Sequence, residues 1–175
     1  TLAIIRRAEV RLVPKPKHKL LVILGYATIT QACAAAPSLL GNSPSAVELI
    51  PQTLVRLARA VPAYAQLTAF VDELPGGREA EALLVVEFAG DDPRDVEALA
   101  RRLMHTSAPN HLLVAAPARQ KQVWDVRTVG LGILSSRRGA LKSIAFMEDV
   151  AVPVELLSGY VENLERLFSQ HGVQA

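Results

Sequence analysis

Residues 19–26, KLLVILGY, are an unbroken apolar run of strand length. A strand with one wet face alternates apolar and polar side chains, so a continuous run fits a strand buried on both faces. A core able to bury such a strand is within reach of 175 residues, half of them hydrophobic and 21% charged. Only 5% are aromatic, so Leu, Val, Ile and Ala must fill that core. No apolar run approaches the roughly 18–20 residues that cross a bilayer. The short apolar start is broken by Arg6 and Arg7 and leads to no small-residue cleavage site, so no secretory leader is read. Cys33 is the one cysteine, which excludes an internal disulfide and a thiolate metal cage. A reducing, cytoplasmic compartment is expected, with peripheral attachment to a membrane left open.

Around this run, strand and helix signals alternate. Residues 2–13, LAIIRRAEVRLV, read as an extended strand with Ala8, Val10 and Leu12 at the two-residue period, ended by Pro14 and Pro16. Residues 27–40 are alanine-rich, with Ile29, Ala32, Cys33, Ala36 and Leu40 at helical spacing and Pro37 expected to kink or end the helix. Residues 45–50 read as a strand and Pro51 as the first turn of a helix through Ala60. Pro75-Gly76-Gly77 is a turn before the strand ALLVVEFAG. Asp92-Pro93 supplies a cap and a first-turn proline for a helix whose inner face is Val96, Leu99, Ala100 and Leu103. A strand at 111–115, a helix from Pro117, a strand at 143–149 and a helix from Pro153 with the stripe Leu157, Tyr160, Val161, Leu164 and Phe168 complete the order. The connections are short. The expected class is α+β: an antiparallel sheet with helices packed on one face, in a doubled ferredoxin-like arrangement.

Self-sufficient chemistry is hard to find in these residues. His18, His105, His111 and His171 are scattered without metal-ligand spacing, and no metal ligands are assigned. Gly130-Leu131-Gly132-Ile133-Leu134-Ser135 nearly matches a dinucleotide fingerprint, but Ser135 replaces the third glycine and no strand precedes it. Cys33 lies on an apolar helix face without a nearby base and reads as a core residue. Residues 1–20 carry Arg6, Arg7, Arg11, Lys15, Lys17 and Lys19 against Glu9, a net +5 in a chain of +2. They lack the interleaved aromatics of a single-strand binder, so nucleic acid is not an expected partner. A ferredoxin-like module that senses a ligand or pairs with a partner chain, without catalysis, stays open at this point.

Three stretches, in order, resemble one family. Thr1-Leu2-Ala3-Ile4-Ile5, running through Ala8-Glu9-Val10-Arg11-Leu12-Val13-Pro14, is the first. Val123-Trp124-Asp125-Val126-Arg127, followed by Gly130-Leu131-Gly132, is the second. Ala145-Phe146-Met147-Glu148-Asp149-Val150-Ala151-Val152-Pro153 is the third. Together they are similar to the FAD-linked oxidases of the glycolate oxidase and D-lactate dehydrogenase type, in the vanillyl-alcohol oxidase superfamily. The resemblance implies that residues 1–16 are the last strand of a flavin-binding domain plus a linker. Residues 17–175 would then be a substrate (cap) domain, truncated at its C-terminal end and inactive alone.

The resemblance also implies roles. Arg127 would bind the carboxylate of a small 2-hydroxy acid whose hydride passes to FAD, a task that suits a planar guanidinium fork. Its alternative is a helix arginine paired with Asp125 or Glu148. Of Glu148 and Asp149, adjacent on opposite strand faces, one would face the substrate or orient Arg127, the role assigned to Glu148, and the other would brace the turn into the Pro153 helix; Thr1 and Ile4 would touch the flavin. No residue of this chain is assigned as catalytic. Implied partners are the flavin-binding domain of the same polypeptide and, as electron acceptor, a quinone, a cytochrome or an iron–sulfur protein. The related 2-hydroxyglutarate dehydrogenases would be expected to place a lysine near Met147 and a threonine near Leu131. Their absence favours D-lactate or glycolate. Arg6-Arg7 in place of Thr-Glu and Ala3 in place of glycine depart from the family pattern.

Overall fold

The computed structural model describes residues 4–106, 110–135 and 150–172. Among these residues four strands form one sheet in the order β2-β3-β1-β4, where β1 is His18–Tyr26, β2 Ala46–Pro51, β3 Ala82–Gly90 and β4 His111–Val114. Every pairing is antiparallel, with Leu21 opposite both Glu87 and Val114, and Glu48 opposite Val85. Helix α1 (Ile29–Leu40) connects β1 to β2, and α5 (Pro93–Thr106) connects β3 to β4. This is one split βαβ unit, β-α-β-β-α-β, with short helices α2 (Gln52–Arg59), α3 (Pro62–Ala65) and α4 (Phe70–Glu73) set between β2 and β3. Helices α6 (Pro117–Ser135) and α7 (Leu157–Gln170) follow β4. A second ferredoxin-like unit is not seen among the described residues.

The expectation of helices on one face is corrected. Alternate residues of the central strands feed two cores, as the two-residue strand period dictates. Val22, Leu24, Leu84, Val86 and Phe88 pack with Ala32 and Leu39 of α1 and Val96, Ala100 and Leu103 of α5. Leu21, Ile23, Ile50, Leu83 and Val85 pack on the opposite face with Val55 of α2, Phe70 and Val71 of α4, and Val123 and Val126 of α6. Double coverage is what the unbroken run in β1 requires, since Leu21, Val22 and Ile23 are all fully buried.

Local signals explain most boundaries. The backbone N–H of Arg94 donates to Oδ1 of Asp92 at 2.8 Å, the N-cap bond that starts α5. Thr28 caps α1 in the same way, accepting from the Gln31 N–H at 3.1 Å. Helix α1 runs past Pro37 to Leu40. The Asn42 and Ser43 N–H groups then bond the Leu39 and Leu40 carbonyls, and Leu39 rather than Leu40 is the buried residue. Pro51 is the N-cap of α2 rather than a first-turn residue. Helix α7 follows a 3-10 turn, Val154–Leu156, and lies against α1 with its expected stripe half-buried.

The predicted strand over 2–13 is also corrected. Residues 4–16 have no regular secondary structure, and Ile4, Ile5, Val10, Leu12 and Val13 are 74–92% exposed. An alternating pattern marks a surface meant to be half-buried, but it does not say against what. The predicted strand at 143–149 lies outside the described residues.

Candidate site on helix α6 and strand β2

Helix α6 is held by a buried stripe at helical spacing. Gln120, Val123, Val126, Gly130 and Ile133 face inward. Gln120 Nε2 donates to the carbonyls of Lys19 at 2.8 Å, Ala115 at 2.9 Å and Val114 at 3.3 Å, which ties the first turn of the helix to β1 and the end of β4. Trp124 is half-buried against the same core. At Gly130 the helix approaches α2 so closely that an added Cβ would lie 3.0 Å from Cδ1 of Leu54. On the outer face Lys121 pairs with Asp125 at 2.6 Å, an i,i+4 bridge.

Arg127 sits next to Val126 and therefore at the margin of this buried stripe. Its Nε donates to Oε1 of Glu48 on β2. Asp125 is engaged by Lys121 instead, so it is not the acid that pairs with Arg127. Glu48 shares the α6 face of the sheet with Ile50, opposite Val85. The two terminal nitrogens of Arg127 carry no partner among the described residues, and the side chain is 59% exposed. A guanidinium held through Nε in this way keeps a planar, two-donor edge that matches a carboxylate.

Glu48 escaped the sequence reading. The signal was present: in AVELIP, Ala46, Glu48 and Ile50 share one face, and a carboxylate beside a buried isoleucine needs a cation. Nothing local named that cation, which lies 79 residues away. A second ion pair on the same face joins Lys19 Nζ to the nearly buried Glu87 at 2.9 Å.

Of the other proposed contacts, Ile4 alone lies among the described residues. Ile4 is 92% exposed in the extended leading segment. Thr1, Glu148 and Asp149 lie outside the described residues. Residues 130–135, the near-match to a dinucleotide fingerprint, are helical. Cys33 is buried on α1, and burial, with the Glu165 carboxylate adding to it, pushes its thiol above the usual range. It is a packing residue. A cleft of about 430 Å³ between β1, α5 and β4 is lined by Lys17, Leu20, Val96 and Leu113, and includes neither Arg127 nor Glu48. With Ile4 exposed and Arg127 outside the lining of this cleft, no flavin site is seen among the described residues. No group of three potential metal ligands is found among them either.

Against known sequences, the family described as FAD linked oxidases, C-terminal domain, matches residues 15–175. The chain belongs to this family. As a member of the FAD-linked oxidase C-terminal domains, it aligns with curated relatives along nearly its whole length. The D-2-hydroxyglutarate dehydrogenase of Escherichia coli (strain K12) is 30% identical over 183 residues, covering 99% of this chain and 18% of the relative. Proteins of the same name from Pantoea ananatis and Haemophilus influenzae are each 28% identical, over 183 and 187 residues, with the same coverage. This domain thus spans about a fifth of the length of the relatives it matches. No helix among the described residues is long and apolar enough to cross a membrane.

Proposed function

We propose that this chain is the substrate-side domain of an FAD-dependent dehydrogenase that oxidises a 2-hydroxy acid by hydride transfer to the flavin. Arg127 presents its terminal donors to the substrate carboxylate. The observation that carries the reading is Arg127 itself, which lies within the family match and presents, from an anchored helix, two terminal donors without a partner among the described residues. Most flavin contacts, and the base that takes the hydroxyl proton, belong to other parts of the polypeptide. Arg127 contributes positioning: a bidentate clamp fixes the carboxylate and, through it, the carbon that loses hydride. Losing such a clamp in a closed site costs about 2–5 kcal/mol. Glu148 and, at the flavin, Thr1 and Ile4 are carried in the same proposal.

The exposed leading segment supports the domain arrangement. Five large apolar side chains at 74–92% exposure call for a covering partner, and a flavin-binding domain that takes residues 1–16 as its last strand would supply one. Reduced flavin would pass its electrons to an acceptor such as an iron–sulfur protein, in a cytoplasmic setting.

Two substrate readings follow. The relatives are named for D-2-hydroxyglutarate, which favours a dicarboxylate. Leu131 and Met147, in place of threonine and lysine, favour D-lactate or glycolate, because neither side chain can serve a second carboxylate. The full-length protein decides between them. Its visible flavin spectrum, recorded anaerobically, is expected to bleach with one of these acids at micromolar to millimolar concentration. A yellow protein that none of them bleaches would reject the substrate class. A colourless one would favour a non-catalytic ligand-sensing or interaction module.

A further inference from the structure

The Arg127–Glu48 pair carries an inference that rests on the substrate role of Arg127 and goes beyond it. We infer that Glu48 is a positioning residue: by taking the Nε hydrogen of Arg127, it turns the terminal edge of the guanidinium toward the substrate's carboxylate.

Three observations support this. The first is which atom is used. Glu48 accepts from Nε, and neither terminal nitrogen has a partner among the described residues, so a two-donor edge is left for a carboxylate. The second is the platform. Glu48 stands on β2 between positions 46 and 50 of the same face, and Ile50 is fully buried, so the acid is carried by a strand locked into the core. A long arginine side chain otherwise samples many rotamers, and fixing one removes an entropy cost that substrate binding would have to meet. The third concerns stability. Arg127 is 59% and Glu48 33% exposed, and an ion pair in that setting adds little to stability. The pair therefore gives the fold little, yet it spans two separate elements and fixes one atom of the guanidinium.

The test is a double-mutant cycle in the full-length flavoprotein, with oxalate as probe. Oxalate carries the carboxylate and adjacent oxygen shared by all 2-hydroxy acids, so the result does not depend on substrate length. Dissociation constants are measured by isothermal titration for wild type, Glu48→Ala, Arg127→Ala and the double variant, with melting temperatures alongside. Arg127→Ala is expected to weaken oxalate by roughly thirtyfold or more. Glu48→Ala is expected to weaken it about fivefold in wild type and not at all once Arg127 is gone. Glu48→Gln keeps an acceptor for Nε and is expected to restore most of the loss. Melting temperatures should stay within about 2 °C throughout. If Glu48→Ala tightens oxalate, Glu48 competes for Arg127 and the inference is overturned. It is also overturned if Glu48→Ala has no effect, or the same effect with and without Arg127, while Arg127→Ala alone remains severe. If Arg127→Ala itself has no effect, the substrate reading fails first.

Discussion

Replacing Gln120 by leucine tests how α6, and with it Arg127, is held. Gln120 is 8% exposed, and its amide nitrogen has two hydrogens for three carbonyls at 2.8, 2.9 and 3.3 Å. It therefore makes two good bonds and one shared one. Two bonds at about 1 kcal/mol each are lost in Gln120→Leu, and the carbonyls left without a donor add about 1–3 kcal/mol. Burial of the new methyl groups returns about 1 kcal/mol. The net expectation is a loss of about 2–4 kcal/mol, read as a lower urea midpoint at unchanged slope. Gln120→Glu should be worse still, because it aims a carboxylate at three acceptors in a buried site. A Gln120→Leu variant within about 0.5 kcal/mol of wild type would refute the reasoning, as would a glutamate variant more stable than the leucine one.

Other consequences are simpler to check. Gly159 lies in the exposed face of α7 with open space where a Cβ would go, so Gly159→Ala should stabilise the chain by about 0.5–1 kcal/mol in urea unfolding. Gly130→Ala should gain less or lose, since its Cβ meets Leu54, and equal gains at both sites would contradict the close α2–α6 contact. Burial opposes the charge on Asp72, but hydrogen bonds and charge from Arg78 and Arg59, each at 2.8 Å, outweigh it and hold its carboxyl below the usual range. A depressed carboxyl stabilises the fold above its unfolded pKa of about 3.9 and stops doing so as pH falls through its folded value. Asp72→Asn should therefore cost up to about 1 kcal/mol at neutral pH, and the deficit should shrink as pH falls below about 4; a deficit that grows in acid would overturn the assignment.

What was legible in the sequence depended on how local its cause is. Strands β1 and β3 announce themselves because both faces are buried, and α5 because Asp92, Pro93 and the Val96–Ala100–Leu103 stripe agree with one another. The same run in β1 argued against helices on one face alone, a conflict that the two cores resolve. Residues 61–74 gave no readable pattern: α3, a 3-10 turn and α4 are each three or four residues long, too short to show a period. The leading segment shows strand patterning without a strand, because pairing depends on a partner that patterning does not name. At the candidate site, Arg127 was proposed from the Trp124–Arg127 motif and its likeness to a family. Glu48 was not, since an ion pair between β2 and α6 leaves no signature in either stretch alone.

The central claim, that Arg127 holds the carboxylate of a 2-hydroxy acid at the flavin, is tested most directly by reductive titration of the full-length protein and its Arg127→Ala variant. Each is mixed anaerobically with the acid that bleaches wild type, and the bleached fraction is followed against concentration. Equal flavin content is expected in the two proteins, with a half-saturating concentration roughly thirtyfold or more higher in the variant. Equal flavin content with superimposable titrations would contradict that claim and remove Arg127 from the substrate site.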